Sequence, residues 1–445
     1  MRQPTSISCG ALWCLVIAAI ASSAASSAEH PNVLLIVTDD QRPDTIAALG
    51  NPQISTPTLD RLVHAGTTFT RATCAYPLCY PSRAELLTGS VSVVHRGQFG
   101  ADQPLWPRVM RDAGYETWYV GKWHTRGRPA DVGYENVDGL YGAGQKPEIP
   151  QRDRQGELVT GYVGWQFQTA DRQLMPEKGI GLTPNISAEF ADAAVRILNR
   201  EHTRPFFLHV NFTAPHDPLF YPTGYEQRYR PEQMLVPLNF SPEHPFDHGN
   251  LKGRDELLWP FPRTRAMVRD ELTAYYALIT HLDAQVGRIL DVLDQRGLAD
   301  NTLVIFTSDH GLAIGSHGLR GKQNMYEHTI NVPLIFRGPG IPADWRVAAS
   351  CYLRDLFPTV CEWAGIAAPQ TEGVSLAPIL RGERTDVYPF IVGYFGDSQR
   401  MIRQGRWKLI RYPLVGKTQL FRLDDDPDEM RNLSGQAEHQ EQEQK

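Results

Sequence analysis

Membrane spans, basic tracts and cysteines are all scarce in this chain, and each shortage closes off a class of protein. Among 445 residues there are six cysteines, too few for a disulfide scaffold at this length. Lys and Arg are never gathered into a basic block and the formal net charge is -6, which excludes a general nucleic-acid binder. An anionic ligand must therefore be met by a few local cations. A transmembrane helix needs about 20 consecutive apolar residues, and the N-terminal apolar core, Ala11 to Ile20, is shorter. Preceded by Arg2 and followed by the small residues Ala21 to Ala28, that core reads as a secretory signal, residues 1–28, cleaved after Ala28. The expectation is an exported protein, periplasmic or secreted, with no stable membrane insertion. Hydrophobic residues make up 42% of the chain and charged residues 21%, near the averages for globular chains able to bury a large core.

What is present is a set of short apolar runs that end in polar clusters. Asn32 to Thr38 (NVLLIVT) is continuous and β-branched, as suits a strand buried on both faces of a parallel sheet, and it ends in Asp39-Asp40. Thr302 to Thr307 (TLVIFT) has the same character and ends in Ser308-Asp309-His310-Gly311. Thr117 to Val120 and Phe206 to Phe212 are further strand candidates. From about Asp270 to Gln295 the apolar residues follow helical spacing. The pattern predicts an α/β fold: a large domain over 29–385 with a mostly parallel sheet between helices. A helix near Leu353 to Ala364 leads to a smaller subdomain over 386–435 with a short antiparallel sheet, and then to a polar tail, 436–445, expected to fray. Two stretches, 126–184 and 217–265, lack periodicity and are expected to be functional loops. Their aromatic and basic residues, among them Trp165, Phe167, Trp259, Phe261, Arg263 and Arg265, suit stacking on sugars and pairing with anions, or packing of the loops themselves.

Functional groups collect beyond the carboxyl ends of strands in open α/β sheets. Asp39, Asp40 and Asp309 are therefore expected to meet despite their separation, and as hard oxygen donors they suit Ca²⁺ or Mg²⁺. Each acidic pair taken alone is equally well read as a turn after a strand. Cys79 stands beside Arg83, which would lower a thiol pKa; a structural cysteine before a helix is the plain reading, and pairing with Cys74 is a third. Cys351 and Cys361 are expected to be buried thiols.

The run Cys79-Tyr80-Pro81-Ser82-Arg83, continued by Ala84-Glu85-Leu86-Leu87-Thr88-Gly89, resembles the signature of the sulfatase family, formylglycine-dependent enzymes of the alkaline-phosphatase-like superfamily. The resemblance implies that a formylglycine-generating enzyme oxidises Cys79, whose aldehyde hydrate then attacks the sulfur of a sulfate ester. It places a divalent metal, Ca²⁺ foremost, on Asp39, Asp40, Asp309, His310 and the modified residue 79. It gives catalytic roles to Arg83, Lys122, His124, His216 and Lys322. Family members vary between Asn and His at the position of His310, and Tyr80 stands where small residues are usual. A sulfated carbohydrate is the expected substrate. Choline or aryl sulfates, and phosphonate or phosphodiester hydrolysis within the same superfamily, are the alternatives. A silent carbohydrate-binding protein on the same scaffold is a reading of a different class, distinguished by the absence of the aldehyde at residue 79.

Overall fold

The computed structural model describes residues 30–91, 99 and 103–444; the signal reading for 1–28 lies outside them. Nine strands form the main sheet: β1 (Asn32–Thr38), β2 (Thr67–Thr73), β3 (Glu116–Lys122), β4 (Asn136–Ala143), β5 (Trp165–Gln168), β6 (Phe206–Asn211), β7 (Thr302–Ser308), β8 (Asn331–Arg337) and β9 (Trp345–Tyr352). Their spatial order is β5-β4-β3-β6-β1-β7-β8-β2-β9. The centre, from β4 through β3, β6 and β1 to β7, runs parallel. β5 pairs antiparallel with β4, and β8 antiparallel with both β7 and β2.

β1 shows why such a sheet needs helices on both faces. Every residue of it is buried, and alternate side chains enter different cores. Leu34 and Ile36 join the core that holds Ile279, Leu282 and Val286 of the helix Arg265–Gln295, together with Phe190 of the helix Ile186–Leu198. Val33, Leu35 and Val37 join the opposite core, with Leu86 and Leu87 of the helix Cys79–Thr88 and Phe357 and Val360 of the helix Leu356–Trp363. The long helix starts five residues before its apolar periodicity does, because Thr264 caps it by accepting from the Met267 N–H at 3.2 Å.

The two irregular stretches differ. Within 126–184 the chain forms β4 and β5, which extend the sheet at one edge. Within 217–265 only short 3₁₀ turns occur among otherwise irregular backbone. The C-terminal sheet is antiparallel throughout: β10 (Ile391–Phe395), β11 (Gln399–Gln404), β12 (Trp407–Tyr412) and β13 (Lys417–Arg422). Met401, Ile410, Tyr412 and Phe421 pack it onto Met325, Tyr326 and Ile330 of the large domain. A buried charge cluster joins the same contact: Lys408 Nζ lies 2.9 Å from Glu327 Oε1 and 2.6 Å from Glu429 Oε1. The tail is more ordered than its polarity predicts. Gln440–Gln444 is helical, and Glu443 accepts from Ser434 Oγ and the Gly435 N–H.

Among the described residues no helix is long and apolar enough to cross a membrane. Cys74, Cys79, Cys351 and Cys361 are all buried and unpaired by disulfides, so the alternative of a Cys74–Cys79 bridge is not realised.

Candidate active site

Four neighbouring strand ends build the site. β1 leads into Asp39 and Asp40, β3 ends at Lys122 with His124 two residues on, β6 ends at Asn211 ahead of His216, and β7 leads into Asp309 and His310. Asp40 holds a left-handed backbone, φ 66°, uncommon for a side chain other than glycine. Its N–H points at Asp309 Oδ1, 3.3 Å away, so the turn links the two acidic strand ends. Cys79 is the first residue of its helix, after an extended Leu78, where the helix dipole favours negative charge.

Around Cys79 the other nine sequence-predicted residues converge. Its Sγ lies 3.3 Å from Asp39 Oδ1, 3.4 Å from His310 Nε2 and 3.3 Å from Lys322 Nζ, and it shares a hydrogen bond with His124. Arg83 donates through Nε to Asp309 Oδ2 at 3.0 Å and through Nη1 to Asn211 Oδ1. Lys122 donates to Asp39 Oδ2. Lys322 also reaches Asp40 Oδ1 at 2.8 Å, and His216 Nε2 lies 3.8 Å from Asp40 Oδ2. All but His124 are essentially buried.

Burial alone would neutralise most of these groups; what survives as charge is set by neighbours. Burial opposes ionisation of Cys79, yet Lys122, Lys322 and His310 together hold its thiol well below the ordinary range. Burial pushes Asp309 up to about 6, helped by the like charge of Asp39. It also raises Asp40, against the pull of Lys322. Both His216 and His310 lie at about 9: burial acts against their protonation, but Asp40 and Asp217 outweigh it at His216, and Asp309 and the Cys79 sulfur at His310. His124 goes the other way, lowered by burial.

The ligating atoms of Asp39, Cys79, Asp309 and His310 lie within 4.8 Å of one another. Two buried carboxylates so close leave one of them hard to ionise, and a divalent cation would relieve that conflict. Two carboxylates and one imidazole fit such an ion, and the Cys79 side chain completes the group. Asp40 stands at the edge of this group, paired with Lys322 and with His310 Nδ1 at 3.1 Å.

Several neighbours escape sequence reasoning. Tyr162 donates through its hydroxyl to Asp39 Oδ2, lies beneath Lys122 with Nζ 5.1 Å from the ring centroid, and sets its edge against His216 at 4.8 Å. Asn211 receives Arg83, and Tyr275 donates to the Asp40 carbonyl. Asp217 faces His216 from one side and Arg254 from the other. Asn211 carried a usable signal, since it closes an apolar strand; Tyr162 carried none. Of the two readings of the loop residues, substrate contact or packing of the loops themselves, Arg263 follows the second: it is 1% exposed and is tied to Glu256 and the Gly318 carbonyl.

A mixed sheet carrying buried carboxylates at its central strand ends, with a buried thiol at a helix start beside them, is the arrangement of the alkaline-phosphatase-like ester hydrolases. Residues 31–366 match the Sulfatase family model, and residues 315–445 match the model for the N-sulphoglucosamine sulphohydrolase C-terminal region. The chain belongs to the sulfatase family and is a sulfuric ester hydrolase. It is 30% identical to an arylsulfatase of Clostridium perfringens (strain 13 / Type A) over 92% of each chain. It is 26% identical to an N-acetylglucosamine-6-O-sulfatase of Bacteroides thetaiotaomicron, covering 96% of this chain and 87% of that one. Among solved structures, the phosphonate monoester hydrolase of Agrobacterium radiobacter superposes with a TM-score of 0.73 over 93% of each chain at 24% identity, a likeness of fold.

Proposed function

We propose that this enzyme hydrolyses sulfated carbohydrates through a formylglycine made from Cys79. The observation that carries the reading is the placement of Cys79 at a helix start, in contact with Asp39, His310 and Lys322 inside a buried cationic cluster. The hydrated aldehyde supplies one hydroxyl to attack sulfur and a second to expel sulfate afterwards. A divalent cation, Ca²⁺ foremost, held by Asp39, Asp40, Asp309, His310 and residue 79, supplies positive charge beside the sulfate oxygens.

The chain's own side chains divide the remaining work. Arg83, fixed by Asp309 and Asn211, and Lys122, fixed by Asp39, hold residue 79 and the sulfate oxygens in register. Fixed cations lower the barrier because charge on those oxygens grows as sulfur is transferred, and losing one such group costs about 3 kcal/mol, roughly a hundredfold in rate. His216, whose protonated form is favoured by Asp40 and Asp217 against burial, suits delivery of a proton to the departing alcohol oxygen, with Lys322 beside it. His124, lowered and therefore neutral, suits removal of the proton from the second hydroxyl. The named carbohydrate activity of the Bacteroides relative supports the choice of substrate class.

The test joins chemistry to composition. Mass spectrometry of the peptide bearing residue 79 should show the aldehyde, and sulfate release from a panel of sulfated glycans should vanish in Cys79→Ala. Full activity of an unmodified enzyme would overturn the mechanism, and faster turnover of an aryl phosphonate than of an aryl sulfate would move it to the phosphonate hydrolases. Export is proposed on the signal reading, and N-terminal sequencing of the mature protein should begin at Glu29.

A further inference from the structure

Beside the two candidate acids the fold encloses a cavity of about 340 Å³. Asp217 and Pro218 in its wall directly follow His216, and Arg320 in its wall stands two residues before Lys322. Asp217 Oδ1 lies 3.4 Å from His216 Nδ1 and 3.7 Å from Arg320 Nη1, so one carboxylate separates the cavity from a candidate acid, and the cavity is placed to hold the part of the ester released as alcohol. Its apolar surface comes from Trp259, Leu219, Met267 and their neighbours, and a flat aromatic face suits a sugar or aryl ring.

The cations in the wall are already used. Arg320 Nη2 donates to Glu271 Oε1 at 2.6 Å, Arg154 Nη2 donates to Asp270 Oδ2 at 2.6 Å, and Arg254, outside the wall, binds both oxygens of Asp217. On the exposed rim, Asp153 and Glu157 have no Lys, Arg or His within 4.0 Å among the described residues. Asp153 Oδ1 accepts the Gln155 and Glu157 N–H groups at 2.9 Å, but both carboxylates lack a counter-cation next to apolar surface, where solvent screens charge less than in bulk water. A second sulfate or a carboxylate on the alcohol would meet repulsion there, whereas an ammonium group would be attracted; the Trp259 ring already faces the Arg320 guanidinium, 5.9 Å from its centroid.

We infer that this cavity receives the alcohol portion of the ester and selects a neutral or cationic one, such as an unsubstituted or amino-bearing sugar, over one carrying a further anionic group. The inference rests on the sulfate-ester reading above and narrows its substrate class. Three aryl sulfates test it without assuming which sugar position is sulfated: 4-methylphenyl, 4-(aminomethyl)phenyl and 4-(carboxymethyl)phenyl sulfate. For the formylglycine-bearing full-length enzyme, kcat/KM for the carboxymethyl ester should fall at least about tenfold below the other two. Glu157→Lys, a change on an exposed loop, should close most of that gap, and Trp259→Ala should raise KM for all three. Equal kcat/KM across the series, or a gap that Glu157→Lys leaves unmoved, would overturn the inference. If the formylglycine-bearing enzyme cleaved none of the three while still releasing sulfate from glycans, the inference would be overturned and the sulfated-carbohydrate reading kept; release from neither would overturn that reading instead.

Discussion

Asp39 turns its two carboxylate oxygens in different directions. Oδ2 takes Lys122 and the Tyr162 hydroxyl, while Oδ1 is left facing Cys79. Burial opposes ionisation of this carboxyl, but Lys122, His216 and Arg83 hold it below the ordinary range, so it stays an anion, as its proposed role as a metal ligand requires. Tyr162→Phe removes one donor and keeps the ring that packs on His216. Outer partners of metal ligands typically carry about 10- to 100-fold in metal affinity or activity; calcium titration of the variant by calorimetry should show a loss of that order. Unchanged affinity would reduce Tyr162 to packing. The contrast with Cys79 explains what was legible: Cys79, Arg83 and the strand-end acids sit in short, ordered patterns of sequence. Tyr162 sits in irregular backbone at φ 56°, and only the folded loop brings it to the site.

At the scale of elements, the central strands were readable because each is a continuous apolar run with both faces buried. The edge strands β4 and β5 were not, since β4 alternates glycine, polar and aromatic residues and β5 is four residues long. Strand placement is exact where it matters. Gly121 lies in β3 at φ 94°, and a Cβ there would stand 1.9 Å from the Asn211 carbonyl oxygen of β6. The residues on either side of that contact are Lys122 and Asn211, which hold Asp39 and Arg83. Gly121→Ala should therefore prise β3 from β6, lower the melting temperature and reduce sulfatase turnover about a hundredfold or more. A variant with wild-type turnover would show that the strand ends tolerate movement.

For the whole molecule, the joint between the two sheets is the part most exposed to solution conditions. Lys408 is fully buried between Glu327 and Glu429, and removing one member of a buried charge group strands the others. Lys408→Met should cost about 3–5 kcal/mol in urea unfolding; a loss below about 1 kcal/mol would mean the acids find other partners. The same joint carries His244 and His248, both lowered by burial to about 4. His244 is near Glu256 and Arg263, and His248 near Asp247 and Arg263. The folded state binds fewer protons than the unfolded one between that value and 6.5. Their stabilisation is complete above about pH 6.5 and is lost as pH falls toward 4. His248, whose ring nitrogens have no partner, should give a flatter pH dependence as His248→Leu, measured as urea midpoints near pH 7 and near pH 5.

Cys79 is 3% exposed, at the base of its helix and beneath the side chains that act with it. A macromolecular catalyst of its oxidation would have no route to that sulfur once the chain has closed. If Cys79 is converted as proposed, conversion would have to precede folding, and each molecule's competence would be decided once. Protein folded with an intact thiol should stay inert when the oxidising enzyme is added, and should gain activity only after unfolding, treatment and refolding. On that proposal the specific activity of a preparation would record a race between two processes during biosynthesis, with the slower folders the better enzymes.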